Sequence, residues 1–229
     1  VELLQAILDR IGNPQWDLLI VGDGSGSGWD RACGWAGILL DNQTRGRKLV
    51  YGAMNVGSVN SAESMPYLQA LSWFDATQGK ERLRTRGMLN VHVLTDSQVI
   101  ANWGNRAMSP DGNLPRSNIA YWAAMREFRR LGYHCHFHWA RRSTTQLNWV
   151  ADLLAGMARR ELQRAFAVMD VPSDIAARAL QAIQTVRFAD PTTGEDIDIH
   201  HLNPNEEQTD VVDNAIHCAA GRRPPDQPV

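Results

Sequence analysis

Apolar residues along this chain gather in short runs that alternate with stretches of helical spacing. Leu3, Leu4, Ile7 and Leu8 recur at helical intervals before Gly12-Asn13-Pro14 breaks the pattern, which predicts a short amphipathic helix at the start. Residues 17–23 (DLLIVGD) form a continuous apolar run that ends in Gly24-Ser25-Gly26-Ser27-Gly28, as a buried central strand leaving a sheet would. Residues 34–41 and 48–56 read as two further strands around the polar turn 42–46, so the three make an antiparallel meander.

From Ser64 the spacing turns helical, with Met65, Leu68, Leu71 and Ala76 on one side, until Gly79. Pro66 would remove an internal hydrogen bond from a helix begun at Asn60, so the regular helix is expected to start near Ser64. Residues 89–95 alternate and predict a fourth strand. A short helix over 97–103, a Gly/Pro/Asn-rich loop to Pro115 and a helix over 117–131 follow, then a fifth strand over 133–139 and a long helix from 148 to about 169. This order predicts an α/β (α+β) architecture, a five-stranded mixed sheet flanked by helices. Beyond it the pattern suggests a helix from Pro172-Ser173 to about Thr185, a hairpin over 186–202 around Asp190-Pro191-Thr192-Thr193-Gly194, a helix over 206–220 and an Arg/Pro-rich tail. The chain thus divides into an N-terminal helix (1–15), a core domain (16–169) and a C-terminal extension (170–229).

Composition narrows the classes. With 229 residues, 44% of them hydrophobic, the chain can build one well-cored domain and an appendage. No apolar run approaches the ~18 residues of a membrane span, and the start VELLQAILDR carries acids where a secretory signal is basic, so the expectation is a cytoplasmic protein without a membrane partner. Cys33, Cys135 and Cys218 are too few and scattered for a disulfide framework and form no CxxC pair; they are expected to be reduced thiols. A net charge of −2 excludes a protein that holds nucleic acid chiefly through a broad basic surface. Arg141, Arg142, Arg159, Arg160 and Arg164 do cluster, which suits either phosphate contacts or a solvated helix face.

Four acids stand where chemistry would place them: Asp23 at the exit of the first strand, Glu63 at the start of the first long helix, Asp96 at the end of the fourth strand, and Asp152 early in the last long helix. Strands one and four can be neighbours where the strand order switches, and their carboxyl ends then open into one crevice. Clustered carboxylates raise one another's pKa unless a cation joins them, which implies hard Mg²⁺ or Mn²⁺. Two such ions about 4 Å apart would activate a water and stabilise both oxygens of a phosphodiester displacement. The plainer role of such acids is helix capping.

Their surroundings go further. Asp23-Gly24-Ser25, Asn60-Ser61-Ala62-Glu63, Thr95-Asp96-Ser97-Gln98 and Ala151-Asp152-Leu153-Leu154-Ala155, in that order, resemble type 1 ribonuclease H across residues 17–160. The resemblance implies an RNase H-like catalytic domain and a metal-dependent endonuclease that cuts the RNA strand of RNA/DNA hybrids with two metal ions per site. It implies that Asp23 bridges the ions, that Glu63 and Asp96 flank them, and that Asp152 is the fourth acid. Gln98 matches a residue that reads the hybrid minor groove, where 2′-hydroxyls mark RNA. Ser25, Ser58 and Asn60 fall near phosphate- or sugar-contacting positions, and equally suit turns and caps.

Two departures stand out. Residues 139–151 contain no histidine where the family often has a mobile one; Arg141 or Arg142 falls there and can hold a phosphate but cannot shuttle a proton. Residues 103–116 are not Lys-rich, so the basic handle of some relatives is absent. A structure-specific or DNA-directed nuclease and a non-catalytic nucleic-acid or protein-binding module are the alternatives, and the extension is open to a protein partner or self-association. His134, His136 and His138 share one face of the fifth strand, as packed side chains or as metal ligands. Residues 198–204 (DIHHLNP) resemble the entry of a His-Asn-His nuclease motif, with His217 nearby, and read more plainly as a hairpin with polar ends. Trp35, Trp73, Trp122 and Trp149 have core-like spacing.

Overall fold

Period-two alternation in the first strand sends its side chains to two opposite layers, and that division organises the molecule. A computed structural model describes residues 2–26, 32–54, 58–141, 146–168, 185–189 and 196–197. The elements are α1 (Glu2–Arg10), β1 (Leu18–Gly26), β2 (Cys33–Asp41), β3 (Arg47–Met54), α2 (Val59–Phe74), a π-helical turn (Asp75–Gly79), α3 (Lys80–Arg86), β4 (Leu89–Thr95), α4 (Gln98–Met108), α5 (Ile119–Leu131), β5 (Tyr133–Trp139), α6 (Gln146–Val168), β6 (Thr185–Ala189) and β7 (Asp196–Ile197).

The sheet order is β5-β4-β1-β2-β3-β6-β7. β1 runs antiparallel to β2 and parallel to β4, β4 parallel to β5, and β2 antiparallel to β3. Leu18 and Ile20 face a core built with Met65, Leu68 and Leu71 of α2, Ile100 of α4 and Trp122 of α5. Leu19 and Val21 face the other side, against Ile7 of α1 and Leu147, Val150 and Leu154 of α6. Each such aliphatic side chain contributes about 1.5–3 kcal/mol on burial. The five strands of mixed direction with helices on both faces are the α/β layer architecture expected from the sequence.

The sheet continues beyond those five strands. β6 pairs antiparallel with β3 from Leu49↔Ala189 to Ala53↔Thr185, and β7 pairs with β6, so the expected hairpin is part of the sheet. The expected helices over 172–185 and 206–220, the tail and the 198–204 motif lie outside the described residues, except that Thr185 opens β6.

The helix expected to start near Ser64 begins instead at Val59 and runs through Pro66. Gly22 and Gly37 are paired across β1 and β2, and a Cβ on either would lie 2.7 Å or 3.0 Å from the Pro66 Cβ. The ring therefore rests in a glycine notch, and close packing offsets the lost bond. The helical run also passes Gly79, through the π turn and α3, to Gly87 at φ 73°. Gly79 does not end the helix; it clears the Tyr133 hydroxyl, which donates to buried Asp75 Oδ1 at 2.7 Å. Gly104 likewise clears the Phe137 ring inside α4, which extends five residues past its expected end at Trp103.

Candidate active site

β1 and β4 lie side by side and parallel at the point where the sheet order switches, so both carry their carboxyl ends to one rim. Asp23 sits there on β1 with only 4% exposure, and its Oδ1 accepts the Gly24 N–H at 2.8 Å. Asp96 follows directly after β4, and its backbone carbonyl accepts the Trp139 indole N–H at 3.0 Å. Glu63 arrives from the first turns of α2. A Cβ on Gly24 would collide with the Glu63 backbone nitrogen, so the bare glycine is what lets the helix start settle on the strand.

These three acids line one pocket of about 360 Å³ together with Gly24, Ser25, Gly26, Val59 and Arg159. Tyr67 of α2 lies within electrostatic reach of all three. Its buried hydroxyl donates to the Gly22 carbonyl at 3.0 Å. Burial raises its pKa well above the ordinary value, and the charges of Asp23, Asp96 and Glu63 all push the same way. Tyr67 thus stays protonated and ties α2 to the exit of β1.

Asp152 is half-buried on α6 and does not line the pocket. Val150 and Leu154 on either side of it belong to the same apolar layer as Val21, two residues before Asp23, and α6 packs on β1, β2 and β3. Of the expected substrate contacts, Ser25 lines the pocket. Ser58 is the exposed N-cap of α2, and Asn60 is half-buried in its first turn, where its carbonyl accepts Ser64 Oγ at 2.7 Å. Gln98 is exposed at the start of α4 and Arg141 is exposed beyond β5; Arg142 lies outside the described residues.

Arg159 was open to two readings in sequence, and the structure puts it in the pocket wall. The available signal was its distance from Asp152: seven residues make two helical turns, which places both side chains on one face of α6.

The pocket's donors are all oxygen, with three carboxylates and the Ser25 hydroxyl, which is the chemistry of a hard divalent cation. In this geometry, among the described residues, no three His, Cys, Asp or Glu side chains stand as a closed ligand set. The acids share the pocket without converging on one point.

The histidines of β5 form a different cluster. His92 of β4 pairs with His136, its ring stacks on His136 and His138 at 5.1 Å each, and its Nδ1 lies 2.8 Å from His138 Nε2. Burial first, then the neighbouring His138 and His136, push His92 down to about 4. The depressed value means that the fold favours neutral His92. Its contribution is fully present above the ordinary His pKa of about 6.5 and is lost as pH falls toward about 4. Urea midpoints between pH 7 and pH 4 should therefore fall by the equivalent of about 2 kcal/mol, and His92→Phe should flatten that slope. A slope unchanged by the substitution assigns the acid sensitivity elsewhere.

Trp35, Trp73 and Trp122 are core residues, but Trp149 is 56% exposed. It lies on the face of α6 turned away from the sheet, in step with exposed Leu153 and Met157.

Several solved structures are similar in shape. The N-terminal ribonuclease H domain of a Mycobacterium tuberculosis protein, solved as a fusion with maltose-binding protein, is 17% identical with a TM-score of 0.44, over 72% of this chain and 99% of that one. Ribonuclease H1 of the halophilic archaeon Halobacterium salinarum is 18% identical with a TM-score of 0.41, over 63% and 98%. LC11 ribonuclease H1, isolated from compost by metagenomics, is 18% identical with a TM-score of 0.44, over 64% and 98%, and has also been solved with an RNA/DNA hybrid. No family model and no curated protein matches the chain.

Proposed function

We propose that this chain is a metal-dependent endonuclease that hydrolyses the RNA strand of RNA/DNA hybrids, leaving 5′-phosphate and 3′-hydroxyl ends. The gathering of Asp23, Glu63 and Asp96 in one pocket at the carboxyl ends of neighbouring parallel strands carries this reading. Asp23, Glu63 and Asp96, with Asp152 from α6, are the residues that would hold two Mg²⁺ or Mn²⁺ ions. Bound there, the ions supply an activated water and charge stabilisation for the attacking and leaving oxygens.

The chain's own part is positional. Buried Asp23 is held by the Gly24 N–H, Tyr67 anchors β1 at Gly22, and Ser97 caps α4 by accepting the Ile100 N–H at 3.4 Å. Gln98 then stands at the exposed head of α4, where a minor groove can reach it. The catalytic unit in this reading is residues 16–169, between α1 and the extension. A second reading, a DNA-directed or structure-specific nuclease, is favoured by one observation: the β6–β7 hairpin widens the sheet beside β3.

The test is to incubate the chain with matched RNA/DNA hybrid, duplex RNA, duplex DNA, a DNA junction and single strands, in Mg²⁺, Mn²⁺ or EDTA. Cutting of the hybrid's RNA strand in either metal and none in EDTA is the expected result. Cutting of DNA or of the junction favours the second reading, and no cutting of any substrate removes both.

A further inference from the structure

Resting on the nuclease reading of the pocket, we propose that Arg159 grips a backbone phosphate of the bound nucleic acid strand. Among the described residues, Arg159 is the one cation that lines the pocket, set with Gly26 and Val59 beside the acids. Its height over the sheet is fixed by backbone: a Cβ on Gly34 would strike the Ala155 carbonyl and lie 2.5 Å from the Arg159 nitrogen, so α6 rests directly on β2 at this turn. Nη1 donates to the Gly26 carbonyl at 3.0 Å, which fixes the guanidinium at the strand exit. Among the described residues the buried Nε has no hydrogen-bond partner.

A buried donor without a partner calls for one, and a guanidinium presents its donors as a planar fork that matches a phosphate. One tie to Gly26 holds the fork in place, and Nε is the donor left for a ligand. The pocket otherwise presents carboxylates, which serve cations and repel a phosphodiester. A strand entering it meets repulsion that a positive side chain offsets, and a net charge of −2 adds no overall attraction for a polyanion. The phosphate grip accounts for the cation in an acidic pocket and for the unfilled donor together. A purely structural tie of α6 to β1 explains only the Gly26 bond.

The experiment uses the full chain in an Asp96→Asn background, so that binding is read without turnover. Anisotropy of a labelled RNA/DNA hybrid is followed in Mg²⁺ across a salt series for the parent, Arg159→Gln and Arg159→Lys, with a thermal melt of each. Arg159→Gln is expected to weaken binding about tenfold and to lower the slope of log K against log salt by about 0.9, while Arg159→Lys keeps most of the slope. In the active background Arg159→Gln should raise KM far more than it lowers kcat. An unchanged slope in a folded Arg159→Gln chain, or a parent that binds no nucleic acid, refutes the grip. Failure of the nuclease reading registers separately, as a wild-type chain that cuts no substrate while the salt slope still responds to Arg159.

Discussion

Replacing Asp23 by Asn is expected to reduce hydrolysis of a hybrid by at least about 10³-fold, equivalent to ~4 kcal/mol of lost transition-state stabilisation. Asp23 is the most enclosed of the three pocket acids and sits on β1 just past its last pairing with β4, while still paired with β2. Asparagine has nearly the same shape, and its Oδ1 can still accept the Gly24 N–H, so the change removes charge and leaves the packing intact. Loss of one of several crowded negative charges should also leave the metal-free protein as stable as before or slightly more so. Single-turnover cleavage and a thermal melt with and without Mg²⁺ separate these effects. A variant that cuts within tenfold of the wild-type rate would place the reacting centre away from Asp23.

Gly34→Ala is expected to cost about 3 kcal/mol or more, because the added methyl meets the backbone of α6 at Ala155 and Arg159 and no side chain is there to swing aside. Relief requires lifting α6 from β2, and with it the helix that carries both Asp152 and Arg159. Gly156→Ala on the same helix is the matched control. Its new Cβ finds only the flexible end of Arg160, at 3.4 Å, and helix propensity should raise stability by about 0.5–1 kcal/mol. Urea unfolding of the two variants should move in opposite directions. Equal shifts would mean that α6 is not seated on β2 at Gly34.

Where alternation and sheet position coincide, the sequence was readable to the residue: β4 and β5 have the bounds their patterns predict. The three pocket acids were also legible, because strand exits and a helix start are local features. What escaped has a tertiary cause in each case. Pro66 was read as excluding a helix across Asn60, but the glycine pair beneath it comes from two other strands. In sequence the helical spacing stops at Gly79 and Gly104 opens a Gly/Pro/Asn-rich stretch, whereas each makes room for an aromatic residue far along the chain. Alternation puts His92 among the polar positions of β4, and only the parallel partner β5 reveals its histidine neighbours. Spacing puts Arg159 on the same face of α6 as Asp152, but what that face meets depends on how α6 lies across the sheet.

The β6 strand gives the architecture an order in time. β3 is translated early, and the segment that occupies its outer hydrogen-bonding row emerges from the ribosome well over a hundred residues later. Until then the nascent sheet presents a bare row of amides and carbonyls, the kind of margin that recruits foreign strands. The late hairpin is thus a seal: the pocket acids and α6 are all made before the strand that covers the flank of β3.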